Sequence, residues 1–404
     1  MRRYSLLLVT LLFLLGRPGL VQAQSALRIS DVEIKYTFGK EIIFLARLQA
    51  DAPIQSAELS FQAEGDPQAR SLPLSLLADG GAKVTYPVEP GLLRPFVRIT
   101  FWFQAVLGSG ETILSPIYYF TYDDNRHTWQ TLQDAQLRVH WYDGDTTFGQ
   151  AAFLAAQAGL QTVQAMLSVT ESTPTDIYIY ASAGDVQEAL GLGGLTWVSG
   201  HASPDLGVVL VSVAPGEDQT NGLDNEIPHE LAHILLYRMT GPSYNNLPTW
   251  LREGLAALSE QAPNPEDDRL LSLAAANKTL LPLADLCGLF PQDVSGASLA
   301  YAESASFTRY LGKTYGTAGL QELIRAYAAG QSCQAGSTHA LGLSLHQLEA
   351  RWQHSELGMN AGGIVFLDLL PYLIVLLAIL VGPGLLIGLS LRRKESHDTD
   401  GSTK

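Results

Sequence analysis

Cysteine is nearly missing from this chain, with two in 404 residues, and neither Cys287 nor Cys333 has the CxxC spacing or the neighbouring histidines of a thiolate metal site. Positive charge is also scarce. Twenty-five Lys and Arg face forty Asp and Glu, giving a formal net charge of −15 and excluding a general nucleic-acid or anionic-membrane binder. Charged residues amount to only 16 % against 47 % hydrophobic ones, which excludes a disordered chain and leaves ample material for a core. No internal repeat and no long low-complexity tract is present, so a solenoid is excluded as well.

What is present begins with targeting signals. Met1-Arg2-Arg3-Tyr4 gives a positive start, Ser5 to Leu15 is an apolar run, and Val21-Gln22-Ala23 offers the small residues of a cleavage site. Residues 1–23 therefore read as a signal peptide, or else as an uncleaved anchor; either exports the chain that follows. Residues 363–391 hold one charge, Asp368, and tolerate Pro371 and Pro383 in a span long enough for a bilayer of ~30 Å. Arg392-Arg393-Lys394 follows at once, which places residues 392–404 in the cytoplasm by the positive-inside rule. The expected protein is a single-pass cell-membrane protein whose folded part is extracytoplasmic. In that compartment Cys287 and Cys333 are open to two readings, a disulfide or two buried free thiols.

Residues 24–125 read as an all-β domain. Alternating apolar runs at Leu27–Tyr36, Ile42–Leu48, Ala57–Ala63, Val97–Val106 and Ile113–Tyr122 are separated by turn clusters such as Asp79-Gly80-Gly81 and Gly108-Ser109-Gly110. The spacing predicts an immunoglobulin-like sandwich acting as spacer or recognition module. Asp123-Asp124-Asn125-Arg126 reads as a linker. Residues 126–358 then alternate strands (Leu137–Tyr142, Asp176–Ala181, Val208–Val213) with helices (Phe148–Leu167, Asp185–Leu190) before an all-helical stretch, an α+β pattern.

The chemistry sits in His229-Glu230-Leu231-Ala232-His233. On a helix capped by Asp224 or Asn225, with Glu226 and Pro228 in its first turn and Gly241-Pro242 at its end, both imidazoles leave one face a turn apart. Two neutral nitrogens at that separation suit a zinc ion, and Glu230, about 100° around the helix, can reach a water without binding the metal. Two solvent-facing histidines on an amphipathic helix would show the same five letters, so a third ligand has to be found. Trp250-Leu251-Arg252-Glu253-Gly254-Leu255-Ala256 lies on a second helix predicted to start near Pro248, with nineteen residues between His233 and Glu253. Gly254 and Ala256 are small enough for helices to cross closely there.

HELAH followed by WLREGLA resembles the gluzincins, zinc peptidases with two histidines and a glutamate, and in particular the bacterial peptidase MA-like family. Tyr301 to Phe307, Tyr310-Leu311, Tyr315-Gly316 and Arg351-Trp352 resemble that family's later helices. The resemblance spans about Thr128 to Glu356. It implies a zincin-like α+β domain, zinc held by His229, His233 and Glu253, Glu230 as general base, and a protein or peptide substrate. It further implies an edge strand within Trp197–Ser212 that aligns the substrate backbone, near His201. Glu260, seven residues after Glu253, is either a partner orienting a histidine or a solvated helix-end acid. Tyr301 is the candidate oxyanion donor, as the residue expected to open a later helix, with Tyr237, Tyr244 and Tyr310 as rivals. An aminopeptidase would need a Gly-x-Met-Glu-Asn stretch to hold the free amine, and none precedes His229. The expectation is thus a metalloendopeptidase. The alternative from another class is a zincin-fold adhesion protein that displays its β-sandwich, and the intact Glu230 speaks against it.

Overall fold

The computed structural model describes residues 27–169, 173–191, 200–262, 264–359, 372–377 and 379. They form two compact units. The first takes the described chain up to Glu89 together with Val97–Tyr122; the second takes Pro90–Phe96 and continues from Asp123.

In the first unit the strands are β1 (Arg28–Thr37), β2 (Glu41–Gln49), β3 (Ile54–Ala63), β4 (Arg70–Pro73), β5 (Ser75–Leu76), β6 (Gly81–Pro87), β7 (Arg98–Leu107), β8 (Thr112–Leu114) and β9 (Tyr118–Thr121). They build two antiparallel sheets, β1-β2-β6-β5 and β4-β3-β7-β8, with β9 also paired to β7. Period-two alternation explains the packing. In β7, Ile99, Phe101, Phe103, Ala105 and Leu107 are buried while the residues between them are not. Phe44 of one sheet meets Phe61 and Phe101 of the other at ring-centroid distances of 5.9 and 5.3 Å, so the two inner faces share one core. Two strand expectations change. Ile113–Tyr122 is not continuous, because Pro116 cannot donate to a ladder and separates β8 from β9. The shorter β4, β5 and β6 carry too few apolar residues to stand out in the sequence.

The second unit contains β10 (Gln130–Gln133), β11 (Leu137–Trp141), α1 (Thr146–Leu167), β12 (Thr175–Tyr180), α2 (Ala183–Leu190), β13 (Gly200–Ser203) and β14 (Val208–Ser212). Helices α3 (Gln219–Thr240), α4 (Thr249–Ser259), α5 (Pro265–Asn277), α6 (Val294–Ala328), α7 (Cys333–Leu341) and α8 (Leu345–Leu357) follow. Its sheet runs β10-β11-β12-β14-β13, parallel through the middle three strands and antiparallel at both edges. Strand β14 is Val-Val-Leu-Val-Ser with its first four residues buried, as expected of a strand covered on both faces.

The boundary between the units falls at Tyr122/Asp123 rather than after residue 125, and Asp123–Arg126 is no loose linker. Asp124 is fully buried; it accepts from Arg126 at 2.8 and 2.7 Å and from the Tyr180 hydroxyl at 3.0 Å. A carboxylate so satisfied holds its stretch of backbone in the second unit. Residues 90–96 join the same unit, where Arg94 grips Asp205 through two bonds of 2.7 and 2.8 Å and Phe96 stacks on Tyr178. The expected signal peptide (1–23), the cytoplasmic tail (392–404) and most of the expected transmembrane helix (363–391) lie outside the described residues. Among the described residues no helix is long and apolar enough to cross a membrane.

The helical half closes on an aromatic core in which Trp250 of α4 meets Phe307 of α6 edge-on at 5.0 Å and Phe307 meets Trp352 of α8 at 5.8 Å. Helix α4 crosses α6 at Gly254, where a Cβ would stand 2.0 Å from Thr308 Oγ1 and 2.5 Å from the Ser304 carbonyl. Cys287 and Cys333 are joined in a disulfide, which resolves the two readings of the sequence.

Two outcomes follow for stability. Gly254→Ala forces α4 off α6, an overpacking cost of about 1–3 kcal/mol, so its thermal midpoint falls by several degrees; an unchanged midpoint would mean the crossing is looser than drawn. Replacing both cysteines by serine opens a loop with a sequence separation of 46. That removes about 2–4 kcal/mol of stability in a denaturant titration. The gap to the parent chain disappears when both are measured in reductant.

Candidate metal and catalytic site

Helix α3 starts at Gln219, several residues before the expected cap, and Pro228 lies inside it. A proline there has no N–H to donate, so the Asp224 carbonyl loses its helical partner. It is satisfied from outside: the Gln261 N–H, just past the end of α4, donates to it at 3.1 Å. Two more bonds join the same ends, Ser259 Oγ to the Pro228 carbonyl at 2.8 Å and the Ala262 N–H to Asn225 Oδ1 at 3.0 Å. Asp224 and Asn225 thus serve as acceptors for the end of α4 instead of as helix caps. On the opposite side the Pro228 ring packs against Gly159 of α1, where a Cβ would come within 2.7 Å of it.

This stitching sets α4 beside α3 so that Glu253 meets both histidines. Glu253 Oε2 is 3.5 Å from His229 Nε2 and 3.5 Å from His233 Nε2. Three donors on a tetrahedral zinc at ~2.0–2.1 Å would stand roughly 3.4 Å apart, so the two Glu253 distances fit such an ion, and the N,N,O donor set suits it chemically; all three atoms lie within 4.8 Å of one another. The remaining ring nitrogens are engaged. Glu260 Oε1 lies 2.8 Å from His229 Nδ1, and the Tyr244 hydroxyl lies 3.0 Å from His233 Nδ1. With a metal on Nε2, each Nδ1 carries the proton and donates, which fixes both rings. Of the two readings of Glu260, the structure supports the orienting one.

Glu230 is 7 % exposed and accepts no hydrogen bond from the described residues. Burial pushes its carboxyl up to about 7, against the pull of the two imidazoles. A group in that range can take a proton and give it back near neutral pH. Its neighbour is Gly200, the first residue of the edge strand β13; a Cβ there would be 2.6 Å from Glu230 Oε1. Only a residue without a side chain leaves room for the carboxylate.

Tyr301 lies two turns inside α6 rather than at its start, because the helix begins at Val294. It is 39 % exposed, packs edge-on against Phe290 at 5.1 Å, and lines the same cleft as His229 and Glu230. Burial, then the negative Glu253 and Glu230, raise its hydroxyl pKa well above the ordinary value. Its rivals are occupied elsewhere. Tyr244 is committed to His233, Tyr310 is buried against Phe307, and Tyr237 lies beside Tyr244 with ring centroids 6.0 Å apart. Gly200–Ser203 supplies the edge strand expected within Trp197–Ser212, and residues 197–199 lie outside the described residues. His201 sits on that strand, where burial pushes its imidazole pKa down. The cleft, of about 700 Å³, also reaches Asn221, Glu226, Asn264 and Asp267, none of which was singled out as a site residue in the sequence. Glu226 had a signal, since it precedes Glu230 by four and shares its helix face. The role of Tyr244 had none, since it sits in a 3₁₀ turn, Gly241–Asn246, whose path no local pattern dictates.

Comparison with known proteins adds a family. No curated protein matches the sequence. Among solved structures, the chain is similar to a mutant of an M1 zinc metallopeptidase from Deinococcus radiodurans at 12 % identity, over 82 % of this chain and 94 % of that one, with a TM-score of 0.38. It is similar to a carbohydrate-binding module of family 56, described as a beta-1,3-glucan binding domain, at 8 % identity, over 23 % of this chain and 98 % of that one, with a TM-score of 0.17. Likenesses at such scores support no conclusion about either unit. Residues 155–357, half of the chain and a stretch that includes His229, His233 and Glu253, match the Peptidase MA superfamily, and the chain belongs to that superfamily.

Proposed function

We propose that this chain is a zinc-dependent peptidase of the gluzincin type that cuts within protein chains. The observation that carries this reading is the convergence of His229 Nε2, His233 Nε2 and Glu253 Oε2 beside a buried Glu230 that takes no hydrogen bond from the described residues. His229, His233 and Glu253 would hold the ion, and the chemistry it supplies when bound is Lewis acidity toward a water and toward the scissile carbonyl. Glu230 takes one proton from the attacking water while the hydroxyl joins the acyl carbon. It then delivers that proton to the departing nitrogen as the C–N bond breaks, leaving a carboxylic acid and an amine. Tyr301 faces the same cleft and donates to the oxygen on which negative charge develops. Glu260 and Tyr244 hold the imidazoles in place throughout. Among the described residues strand β13 has a neighbour, β14, on one side only, and its other edge can pair with a peptide backbone.

The rest of the chain is read in keeping with that activity. The strand orders β1-β2-β6-β5 and β4-β3-β7, with β8 and β9 at the far edge, favour an immunoglobulin-like sandwich. The apolar segment 363–391 and the basic cluster after it favour a membrane anchor with both folded units outside.

Two experiments test this. Full-length chain purified with zinc should carry one ion and cleave unfolded proteins. Glu230→Gln should keep the ion and lose about 10²–10⁴-fold in kcat, and Glu253→Ala should lose both. A zinc-loaded parent chain that cleaves no unfolded protein would favour the adhesion-scaffold reading instead. Separately, Glu260→Gln and Tyr244→Phe should each raise the zinc Kd by about 10–100-fold in competition with a chromogenic chelator. Unchanged affinity would remove both residues from the site.

A further inference from the structure

Helix α4 sends two consecutive side chains toward the same imidazole. Glu253 Oε2 stands 3.5 Å from His233 Nε2. Arg252, the residue before it and about 100° around the helix, reaches the other ring nitrogen through an intermediary. The Tyr244 hydroxyl lies 3.0 Å from His233 Nδ1, and the guanidinium carbon of Arg252 lies over the Tyr244 ring at 5.0 Å from its centroid, within the range of a cation–π contact. Two features separate this contact from that of a surface arginine resting on a ring. Arg252 Nη2 donates to Thr249 Oγ1 at 3.0 Å, one turn back on the same helix, so the planar group is tied down instead of swinging on its stem. Its Nε is buried and has no hydrogen-bond partner among the described residues, a cost that the side chain would avoid by turning out to water. What its face meets therefore explains its place, and it meets Tyr244.

Tyr244 needs such a hold. It sits in the short 3₁₀ turn Gly241–Asn246, and its aromatic neighbours Tyr237 and His233 meet it at steep interplanar angles of 64° and 87° instead of stacking on it. The two histidines are thus backed differently. His229 Nδ1 meets the Glu260 carboxylate directly, whereas His233 Nδ1 meets a hydroxyl whose ring lies under a cation.

We propose that Arg252 is a positioning residue of the candidate metal site: it clamps the Tyr244 ring so that the hydroxyl stays on His233 Nδ1 and the imidazole stays turned toward Glu253. Helix α4 then carries a ligand and the clamp of a second ligand side by side, and the two move together. The ion itself rests on the peptidase reading, but the clamp acts on a hydrogen bond within the chain and can be followed without activity.

The test is a double-mutant cycle on zinc affinity in the full-length chain, read by competition with a chromogenic chelator. Arg252→Leu should raise the zinc Kd about threefold to tenfold, the size of one cation–π contact. In a Tyr244→Phe background no hydroxyl is left to place, and the same substitution should change the Kd by less than about twofold. General loosening of α4 would weaken binding in both backgrounds, and a charge acting on the ion through space would give tighter binding once removed. Either result, or an unchanged Kd in the parent background, overturns the proposal. Should Arg252→Leu not fold, Arg252→Gln carries the same cycle with the same expected results. A parent chain that binds no zinc would sink the metal reading by itself. Ring-nitrogen magnetic resonance of the metal-free chain, labelled with ¹⁵N-histidine, then decides the clamp alone. Tyr244→Phe identifies the His233 signal by moving it, and Arg252→Leu should move the same signal in the same direction; a signal left in place overturns the proposal.

Discussion

Three candidate ligand atoms from two helices meet within 4.8 Å of one another, and much of the second unit is arranged to make them do so. The helical repeat takes care of two, since residues four apart on α3 present His229 and His233 on one face. The third is harder, because Glu253 comes from a helix whose position relative to α3 is free until something fixes it. Three hydrogen bonds fix it, from Ser259 and Gln261 to the backbone carbonyls of Pro228 and Asp224 and from the Ala262 N–H to the side chain of Asn225. Gly254 allows α6 to close on the far side of α4, and Trp250 anchors the start of α4 in the aromatic core. The position of Glu253 therefore comes from tertiary contacts on both sides of one short helix.

Pro228 connects this packing to the chemistry. A residue with an N–H at that position would close the Asp224 carbonyl inside α3 and leave Gln261 with no acceptor there. With proline, the carbonyl is open to the end of α4, the segment that also carries Glu260 to His229 Nδ1. The missing hydrogen bond of the helix becomes the one that brings the orienting carboxylate to the ligand. Proline immediately before the first histidine is thus a structural partner of Glu260 although the two are far apart in sequence.

The parts of this design that are local were legible in the sequence, and those that depend on distant contacts were not. His229, His233 and Glu230 follow from helical spacing, and the partnership with Glu253 from two amphipathic segments a loop apart. Strands such as β7 and β14 announce themselves by alternation or by an unbroken apolar run. The start of α3 was misplaced because Pro228 normally marks a first turn, and nothing nearby shows that a distant N–H will satisfy the carbonyl it frees. Asp124 looks like a solvated acid among polar neighbours, yet Arg126 and Tyr180 close around it and turn an apparent linker into an anchored segment. Tyr244 was visible only as one tyrosine among several, since its hydroxyl finds His233 through a turn rather than through a period.

Five carboxylates around one cleft have the same chemistry in isolation, and their surroundings assign them different work. Glu253 faces two imidazoles and is the carboxylate that could share a metal ion with them. Glu260 meets the protonated side of one ring and is spent on orientation. Glu230 has neither partner, and burial lifts its pKa to about 7, which makes it the carboxyl able to exchange a proton. Glu226 and Asp267 also line the cleft, and Asp267 is lifted to about 6 by burial and then by Glu260. Separating acids by environment is how one site can hold a base and a ligand without exchanging their roles. The glycine at residue 200 belongs to the same scheme: a side chain there would displace Glu230 and Glu226, the two acids that share its space.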